Sequence, residues 1–288
     1  GCGKGKRMLI SKLVALSLSL GLIPSASSAA CKPRDFMALP MPDSPGRSPM
    51  SEALELAYDG LTVNEADQTV TINGQTLALG PSEPRSVRQR LGDSSIADQF
   101  AQVYPLDFDL TRRLEPWFDP GRARNDVFFR SVYGNTEAQV AGTLQRAAYK
   151  GQNGTVRFAM SARQCVVGQL QAALDAIAAE GPDMDRFLEN PGGSFNWRKI
   201  AGTQRLSAHS YGIAVDFNTK LGGYWRWDSA SEGAVGDYNN AYPEQLVRHM
   251  ERFGFIWGGK WHHYDGMHFE YRPELILHAR RMAGLTDG

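Results

Sequence analysis

Residue types that bind metal ions occur in a short segment, LSAHSYGIAVDFN, at positions 206–218. From Ile213 onward large apolar residues alternate with small or polar ones, which predicts a strand with one buried side. Asp216 lies on the opposite side of this strand, and His209 precedes it. Gly212 and Ala214 lie on the same side of the strand as Asp216, and because both are small, we expect open space beside the carboxylate. The segment therefore offers a histidine and a carboxylate as candidate ligands.

A second segment, MHFEYR at positions 267–272, alternates in the same way. His268 and Glu270 share the side opposite the apolar residues. If the apolar sides of both strands face one core, His268 lies beside Asp216 across the sheet, and His209 reaches the same place from its loop. Two histidines and one carboxylate form a ligand set that binds zinc and leaves a fourth position for water. The two segments together predict a zinc site.

Asp265 stands three residues before His268, at the turn into the second strand. From there its carboxylate could act as general base toward a water molecule activated by the metal, without itself binding the metal. Each of these residues alone has an ordinary structural explanation, because a histidine at a strand end is usually a packing or surface residue and an Asp-Asn pair often forms a turn. Two strands that both place ligand-type residues opposite their apolar sides favour the metal site.

The two motifs, S-x-H-x-x-G-x-A-x-D at 207–216 and D-x-x-H-x-E at 265–270, together resemble the LAS-type zinc peptidases. This group holds D-alanyl-D-alanine carboxypeptidases, lysostaphin-like peptidases and the hedgehog signalling domain. The VanY-like D-alanyl-D-alanine carboxypeptidases are the most similar branch. The resemblance is strong over about 195–275 and weaker from about residue 99, through DPGRARNDVFF.

The resemblance implies a role for each matching position. His209, Asp216 and His268 match the zinc ligands, and Asp265 matches the catalytic base. Many relatives have Glu at the position of the base, whereas L-alanyl-D-glutamate peptidases are similar in having Asp, so the bond that is cut stays open. Glu270 is expected to orient His268 rather than to bind the metal.

The family also implies an arginine that holds the substrate carboxylate or polarises the scissile carbonyl, because a planar guanidinium fits an oxyanion. Arg198 is the first candidate and Arg163 the second, although a surface ion pair is the simpler explanation for Arg163. Ser207 could bind the substrate or fix the loop before the first histidine. His263 could stabilise the transition state. Trp197 belongs to a group of tryptophans near the motifs, most of which we expect in the core and some along a substrate groove.

The elements that must position these residues are of mixed type. The pattern predicts a small β-hairpin or meander at 61–79, a strand at 155–160, and helices at 165–179 and 243–253. A further helix follows Asp119-Pro120-Gly121, with Val127, Phe128 and Val132 on its inner face, and a short C-terminal helix carries His278 as a surface residue. Helices and strands that follow one another in this way favour an α+β domain with a mainly antiparallel sheet and flanking helices, and the resemblance implies the hedgehog/D-Ala-D-Ala peptidase-like fold.

The chain has 288 residues and a net charge of zero, which gives no electrostatic footprint for nucleic acid. Residues 1–30 are typical of a signal peptide, with a basic KGKR, an apolar run at 13–23 and the small residues SASSAA. That run is too short to span a membrane, so we expect export followed by cleavage and no stable membrane span. Residues 31–98 are interpreted as an N-terminal tether with a small β-hairpin region, and 99–288 as the zinc peptidase domain.

Cleavage after residue 30 would leave Cys31 and Cys165. In an oxidising compartment the two could form a disulfide, and two separate thiols are an equally good interpretation. A lipid attached to Cys31 would anchor the protein in the cell envelope, but Ser28 occupies the position where lipoprotein signals usually have a leucine-like residue. The expected location is the periplasm or the cell envelope, and the oligomeric state stays open.

The sequence therefore predicts an exported zinc metallopeptidase whose partners are the stem peptides of peptidoglycan. A D-alanyl-D-alanine carboxypeptidase is the first hypothesis. An endopeptidase that cuts L-alanyl-D-glutamate bonds or cross-links is the second. The third is a binding module that zinc stabilises and that has no catalytic activity, as in hedgehog-like relatives, but the presence of Asp265 counts against it.

Overall fold

Helices pack against antiparallel sheets in the computed structural model of the protein, which describes residues 1–3, 31–80 and 84–284. This arrangement confirms the α+β class expected from the sequence. The predicted signal peptide falls mostly on residues 4–30, which lie outside the described residues. Within the described ranges, no helix combines the length and the apolar character that crossing a membrane requires.

The described α-helices are α1 (Pro49–Ala57), α2 (Val87–Gly92), α3 (Asp126–Tyr133), α4 (Glu137–Ala141), α5 (Val166–Ala179), α6 (Asp185–Leu188), α7 (Thr219–Gly222), α8 (Glu244–Arg252) and α9 (Pro273–Met282). The strands are β1 (Thr62–Asn64), β2 (Thr69–Ile72), β3 (Gln75–Ala78), β4 (Leu144–Gly151), β5 (Gly154–Ser161), β6 (Pro191–Gly193), β7 (Ala214–Asn218), β8 (Phe255–Trp257) and β9 (His268–Tyr271). Short 3-10 helices occur at Ala97–Phe100, Leu110–Leu114, Arg163–Cys165, Pro182–Met184, Ala208–Tyr211 and Gly258–Lys260.

The strands pair into antiparallel sheets. One sheet has the order β1-β2-β3, β4 pairs with β5, and a four-stranded sheet has the order β6-β7-β9-β8. The first sheet confirms the hairpin or meander expected at 61–79. Its second turn contains Asn73 and Gly74 with φ angles of 51° and 75°, the left-handed conformation that a tight two-residue hairpin turn needs. The candidate ligands belong to the four-stranded sheet and to the loop before it.

Aromatic rings fill the core on the apolar side of this sheet. Phe217 of β7 contacts Phe269 of β9 and Phe158 of β5, with ring centroids 5.1 and 5.6 Å apart. All three rings are buried. The alternation read from the sequence of β7 thus places its apolar residues in the core, so that its other side is left for polar chemistry.

Helix α3 corrects one part of the sequence interpretation. Its N-cap Asn125 accepts a hydrogen bond from the backbone N–H of Phe128. Phe128 and Val132 are buried as expected, but Val127 is 55% exposed and Phe129 takes its place on the inner face. Residues three or four apart lie on the same face of a helix. Phe129 is three residues before Val132 and shares its buried face, whereas Val127 is five residues before it and points to solvent.

The N-terminal segment, residues 31–58, is joined covalently to the rest of the protein. Cys31 and Cys165 form a disulfide that links the segment to the residue before α5, across 134 positions of sequence. Of the two interpretations of these cysteines, the structure selects the disulfide. Lipid attachment at Cys31 needs a free thiol, so the paired form of this cysteine is incompatible with that alternative.

Hydrogen bonds continue this attachment as far as α9. The guanidinium of Arg280 donates to the carbonyl oxygens of Phe36 and Leu39 at 2.7 and 2.8 Å. The hydroxyl of Tyr58, which follows α1, donates to a carboxylate oxygen of Glu274 at 2.7 Å. Because Tyr58 and Glu274 are both fully buried, the N-terminal segment supplies part of the interior polar structure.

The predicted surface position of His278 is wrong. Only 7% of this residue is exposed, and its ring meets that of Phe100 edge to face with centroids 5.1 Å apart. A short terminal helix was expected to expose this residue, but residues of the N-terminal segment cover α9. Burial lowers the pKa of His278 to about 4.

We expect the double substitution Cys31→Ser/Cys165→Ser to lower the melting temperature. Opening a loop of this length frees the unfolded chain and costs about 5 kcal/mol. For a protein of this size the melting temperature should fall by roughly 10 °C or more. Calorimetry on both proteins measures the change, and an unchanged melting temperature would show that the disulfide does not form.

The buried His278 predicts that stability falls with pH below about 6.5. The folded protein holds this histidine neutral down to pH about 4, whereas the unfolded chain protonates it near its ordinary pKa. Its contribution is therefore complete above pH 6.5 and lost on acidification, by about 2 kcal/mol at pH 5. Urea unfolding at pH 7 and pH 5 should show a smaller difference for His278→Gln than for the unsubstituted protein. Equal differences would contradict the burial of a neutral ring.

Candidate metal centre

The first candidate ligand, His209, lies in the short helix Ala208–Tyr211 just before β7. Ser207 caps this helix, since its hydroxyl accepts a hydrogen bond from the backbone N–H of His209 at 3.4 Å. Gly212 ends the helix with a φ of 66°, a conformation that L residues with side chains rarely adopt. The chain then turns into the strand that carries Asp216.

The structure gives Gly212 a different role from the one expected. A side chain there would approach Leu144 and the backbone nitrogen of Ser161 at 2.9 and 3.1 Å, rather than intrude on the metal centre. The residue permits the left-handed turn and the close packing of the loop on β5. The expectation that it clears space for the metal is therefore wrong.

Strand pairing brings the other two ligands together. Asp216 of β7 stands directly opposite His268 of β9 in the antiparallel register. The Oδ1 atom of Asp216 lies 2.9 Å from Nδ1 of His268 and 3.2 Å from Nε2 of His209. One ligand atom from each of the three residues lies within 4.8 Å of the others, so this group could hold a metal ion.

Each histidine has its second ring nitrogen held by an acceptor. Nδ1 of His209 donates to the carbonyl oxygen of Ser194 at 2.6 Å, and Nε2 of His268 donates to Glu270 at 3.2 Å. These partners favour the tautomers whose free nitrogens face Asp216. A proton acceptor behind each ligating histidine is typical of zinc sites, where it fixes the ring and raises its basicity. The donor set therefore fits a zinc ion.

Electrostatics at the three residues also favour a cation. Burial acts to raise the pKa of Asp216, but His209 and His268 outweigh it and hold this pKa well below its usual range. Burial acts to lower the pKa of His268, whereas hydrogen bonds to Asp216 and Glu270 raise it to about 9. A divalent cation that replaces the proton on His268 would meet a carboxylate that is already ionised.

Behind His268 lies a group of buried charges. Arg124 binds Glu270 through two hydrogen bonds of 2.7 and 2.6 Å, and Arg272 donates to the same carboxylate at 3.3 Å. Burial acts to raise the pKa of Glu270, but the positive charge of Arg124 and the adjacent hydrogen bonds keep it well below its usual range. Glu270 is therefore an anion that holds the ring of His268 in place, the position that the sequence interpretation assigned to it.

The ligands line a cavity of about 120 Å³. Three further residues named from the sequence line it as well, namely Asp265, Arg198 and Ser207. The backbone N–H of Asp265 donates to the carbonyl oxygen of Gly258 at 3.0 Å. Burial raises the pKa of the Asp265 carboxyl, with a smaller contribution in the same direction from the charge of Asp216, although His268 opposes the shift.

Three sequence candidates lie elsewhere. Arg163 lines a separate cavity next to the end of α3 and donates to the carbonyl oxygen of Val132 at 3.5 Å. Trp197 packs half-buried against the core, with the guanidinium of Arg130 at 5.9 Å from its ring centroid. His263 lines a neighbouring cavity, where its Nδ1 contacts Asp119 at 2.7 Å and its Nε2 accepts a hydrogen bond from a backbone N–H.

The structure adds arginines that sequence reasoning missed. Arg122 and Arg124, from the segment DPGRARND at 119–126, both line the metal cavity. The Nε of Arg122 makes no hydrogen bond within the described structure but lies 3.7 Å from Oδ1 of Asp119, and its Nη2 donates to the carbonyl oxygen of His263. Its guanidinium lies 4.6 Å from the ring centroid of Trp261. The available sequence signal was their separation by two positions, because residues two apart in an extended segment point to the same side.

Replacing His209 with alanine should remove metal binding. Two of the three candidate ligands would remain, and a site that needs three protein ligands would not hold zinc through dialysis. Metal content measured by plasma mass spectrometry should fall from about one zinc per chain to background. His249→Ala is the matched control, because this histidine contacts Glu180 on the surface at 2.6 Å. Retention of zinc by the His209 variant would contradict the assignment.

The region that carries these ligands matches a model of a known protein family. Residues 201–271 match the family model described as D-alanyl-D-alanine carboxypeptidase. No curated protein and no solved structure matches the chain significantly. The matched segment contains all three candidate ligands and Asp265, which confirms the family resemblance read from the sequence. Over these residues the chain is therefore similar to a family of peptidases, the D-alanyl-D-alanine carboxypeptidases.

Proposed function

We propose that the protein is an exported zinc metallopeptidase that hydrolyses stem peptides of peptidoglycan containing D-amino acids, and that it acts as a D-alanyl-D-alanine carboxypeptidase. The observation that carries this proposal is the common cavity of His209, Asp216, His268 and Asp265. The family match over the same segment supports the reaction class.

His209, Asp216 and His268 would hold the zinc ion. When bound, zinc acts as a Lewis acid that polarises a carbonyl group and makes water a stronger acid. Asp265 takes the proton from the attacking water and returns it to the leaving amine. Because burial raises the pKa of Asp265, this carboxylate is a stronger base than an exposed aspartate.

Arginines in the cavity provide the positive charge that the substrate needs. Arg198 is exposed at the cavity, and Arg122 also lines it, with its Nε 3.7 Å from Oδ1 of Asp119. A guanidinium in this place binds the terminal carboxylate of a peptide or stabilises the oxyanion that forms during hydrolysis. A carboxypeptidase needs the first of these contacts, which is why we favour it over an endopeptidase.

The endopeptidase remains the second candidate function because the metal cavity does not end at these arginines. It shares Arg122, Arg124 and Tyr224 with a second cavity of about 270 Å³, which gives room for a longer peptide. A binding module without catalysis is the third candidate, and the position of Asp265 in the metal cavity speaks against it.

Export is part of the proposal. Residues 1–30 are assigned to a signal peptide, 31–98 to the N-terminal region and 99–288 to the peptidase domain. The disulfide between Cys31 and Cys165 supports an oxidising compartment, since such bonds persist outside the cytoplasm. The peptidoglycan substrate lies in the same compartment, in the periplasm or the cell envelope.

We expect Asp265→Asn to keep its zinc and lose hydrolysis. The amide cannot accept the proton from water, so kcat should fall about a hundred- to ten-thousand-fold. Incubation with muropeptides of defined composition, with and without a chelator, measures the products by mass. Asp183→Asn, an exposed aspartate in a different part of the chain, is the control.

The masses of the products also separate the candidate functions. Loss of a single alanine identifies a carboxypeptidase, and two peptide fragments identify an endopeptidase. Undiminished hydrolysis by a zinc-loaded Asp265→Asn protein would overturn the role of this residue. The absence of any product from the unsubstituted protein would favour the binding module.

A further inference from the structure

The second cavity continues the metal cavity along a wall that both share. Arg122, Arg124 and Tyr224 line both spaces. Trp117 and Trp225 line only the second cavity, which has a volume of about 270 Å³. A peptide that lies across the metal centre and extends in this direction would place one of its neighbouring residues against these side chains.

Arg205 gives the second cavity a positive charge that the protein does not satisfy. Its Nε and Nη1 atoms are buried and have no hydrogen-bond partner among the described residues. Burial and the positive charges of Arg124 and Arg122 lower the pKa of Arg205 to about 10, although Asp126 acts in the opposite direction. Buried donors are almost always paired in folded proteins, so an unpaired guanidinium beside a cavity points to a ligand.

No acid among the described residues forms an ion pair with Arg205. Asp126 uses one carboxylate oxygen to accept the backbone N–H of Leu206 at 3.2 Å, and its other oxygen is buried with no hydrogen-bond partner in the described ranges. Glu232, also at the cavity, pairs with Arg88 at 3.0 Å. The carboxylate that binds Arg124 is that of Glu270, on the side of the metal ligand. The cavity therefore keeps an excess of positive charge.

Arg226 adds a second guanidinium at the opening. It is exposed, lines both cavities, and its guanidinium lies 5.1 Å from the ring centroid of Trp225. The ring supports the planar group without using its hydrogen-bond donors. Arg205 from within and Arg226 from the rim can thus converge on one small anion.

We propose that Arg205 and Arg226 bind a second carboxylate of the substrate peptide, apart from the group at the scissile bond, and make the enzyme select peptides in which that carboxylate is free. This inference rests on the proposed peptidase function. A carboxylate matches the planar donor fork of a guanidinium, whereas a primary amide brings an N–H group against the same donors. The free carboxylate of a D-glutamyl residue within a stem peptide has the required chemistry.

The test uses two peptides that differ only at this carboxyl group, as free acid or as primary amide. The zinc-loaded protein should hydrolyse the acid with a kcat/KM about ten- to a hundred-fold higher, the range expected for hydrogen bonds to a charged group. Arg205→Met should abolish the preference by slowing hydrolysis of the acid, and Arg205→Lys should restore part of it. Arg146→Met, an exposed arginine on β4, is the matched control and should keep the full preference.

A binding measurement separates this inference from the proposed function. Calorimetry with the same two peptides, in which a reduced amide replaces the scissile bond, reports the preference without turnover. Tighter binding of the acid without hydrolysis of either natural peptide would sustain the inference and overturn the peptidase. Equal binding of acid and amide overturns the inference, whether or not the peptides are hydrolysed.

The stability of Arg205→Met is an internal check. Because the substitution removes a buried charge without a partner, its melting temperature should equal or exceed that of the unsubstituted protein. A marked fall in melting temperature, together with an unchanged preference for the acid, would assign Arg205 a structural role and overturn the inference.

Discussion

The candidate metal centre depends on the pairing of β7 with β9. In this register Asp216 stands opposite His268, while Phe217 and Phe269 meet on the other side of the sheet. Because successive side chains alternate, a shift of one residue would turn each ligand into the core and each ring toward the cavity. The burial of aromatic rings therefore holds the two ligands at 2.9 Å, and the metal centre needs no separate scaffold.

The charges behind the ligands connect the metal centre to distant parts of the chain. Glu270, Arg272 and Glu274 are fully buried, and buried charges are costly unless they are paired. Here each is paired, because Arg272 lies 3.3 Å from Glu270 and 2.6 Å from Glu274. The hydroxyl of Tyr58 donates a further hydrogen bond to Glu274. A continuous set of polar contacts therefore runs from His268 to the N-terminal segment that the disulfide secures.

Much of the candidate metal centre could be predicted from the sequence, since two of its ligands lie in strands whose alternation is local and the third lies just before one of them. Side-chain period and motif spacing indicate His209, Asp216, His268 and Asp265. The arginines could not be found in this way, because Arg122 and Arg124 reach the cavity through contacts with residues some 140 positions away, such as Trp261 and Glu270. The burial of His278 and the packing of Gly212 against β5 could not be predicted either, since both depend on segments that are distant in sequence.

The long connection between β7 and β9 lines the cavities but supplies none of the candidate ligands among its residues. Its residues 219–264, all of them described, contribute no candidate ligand, yet Tyr224, Trp225 and Arg226 lie along the cavities there. The second part of the connection contains α8 and β8, and β8 pairs with β9, so substitutions there would disturb the sheet. Its first part, residues 223–240, lies outside the helices and strands and carries the residues that line the cavities. Substitutions in this loop would therefore reshape both cavities and leave β7 and β9 in register, so the loop is the stretch to vary when only the lining of the cavities is to change.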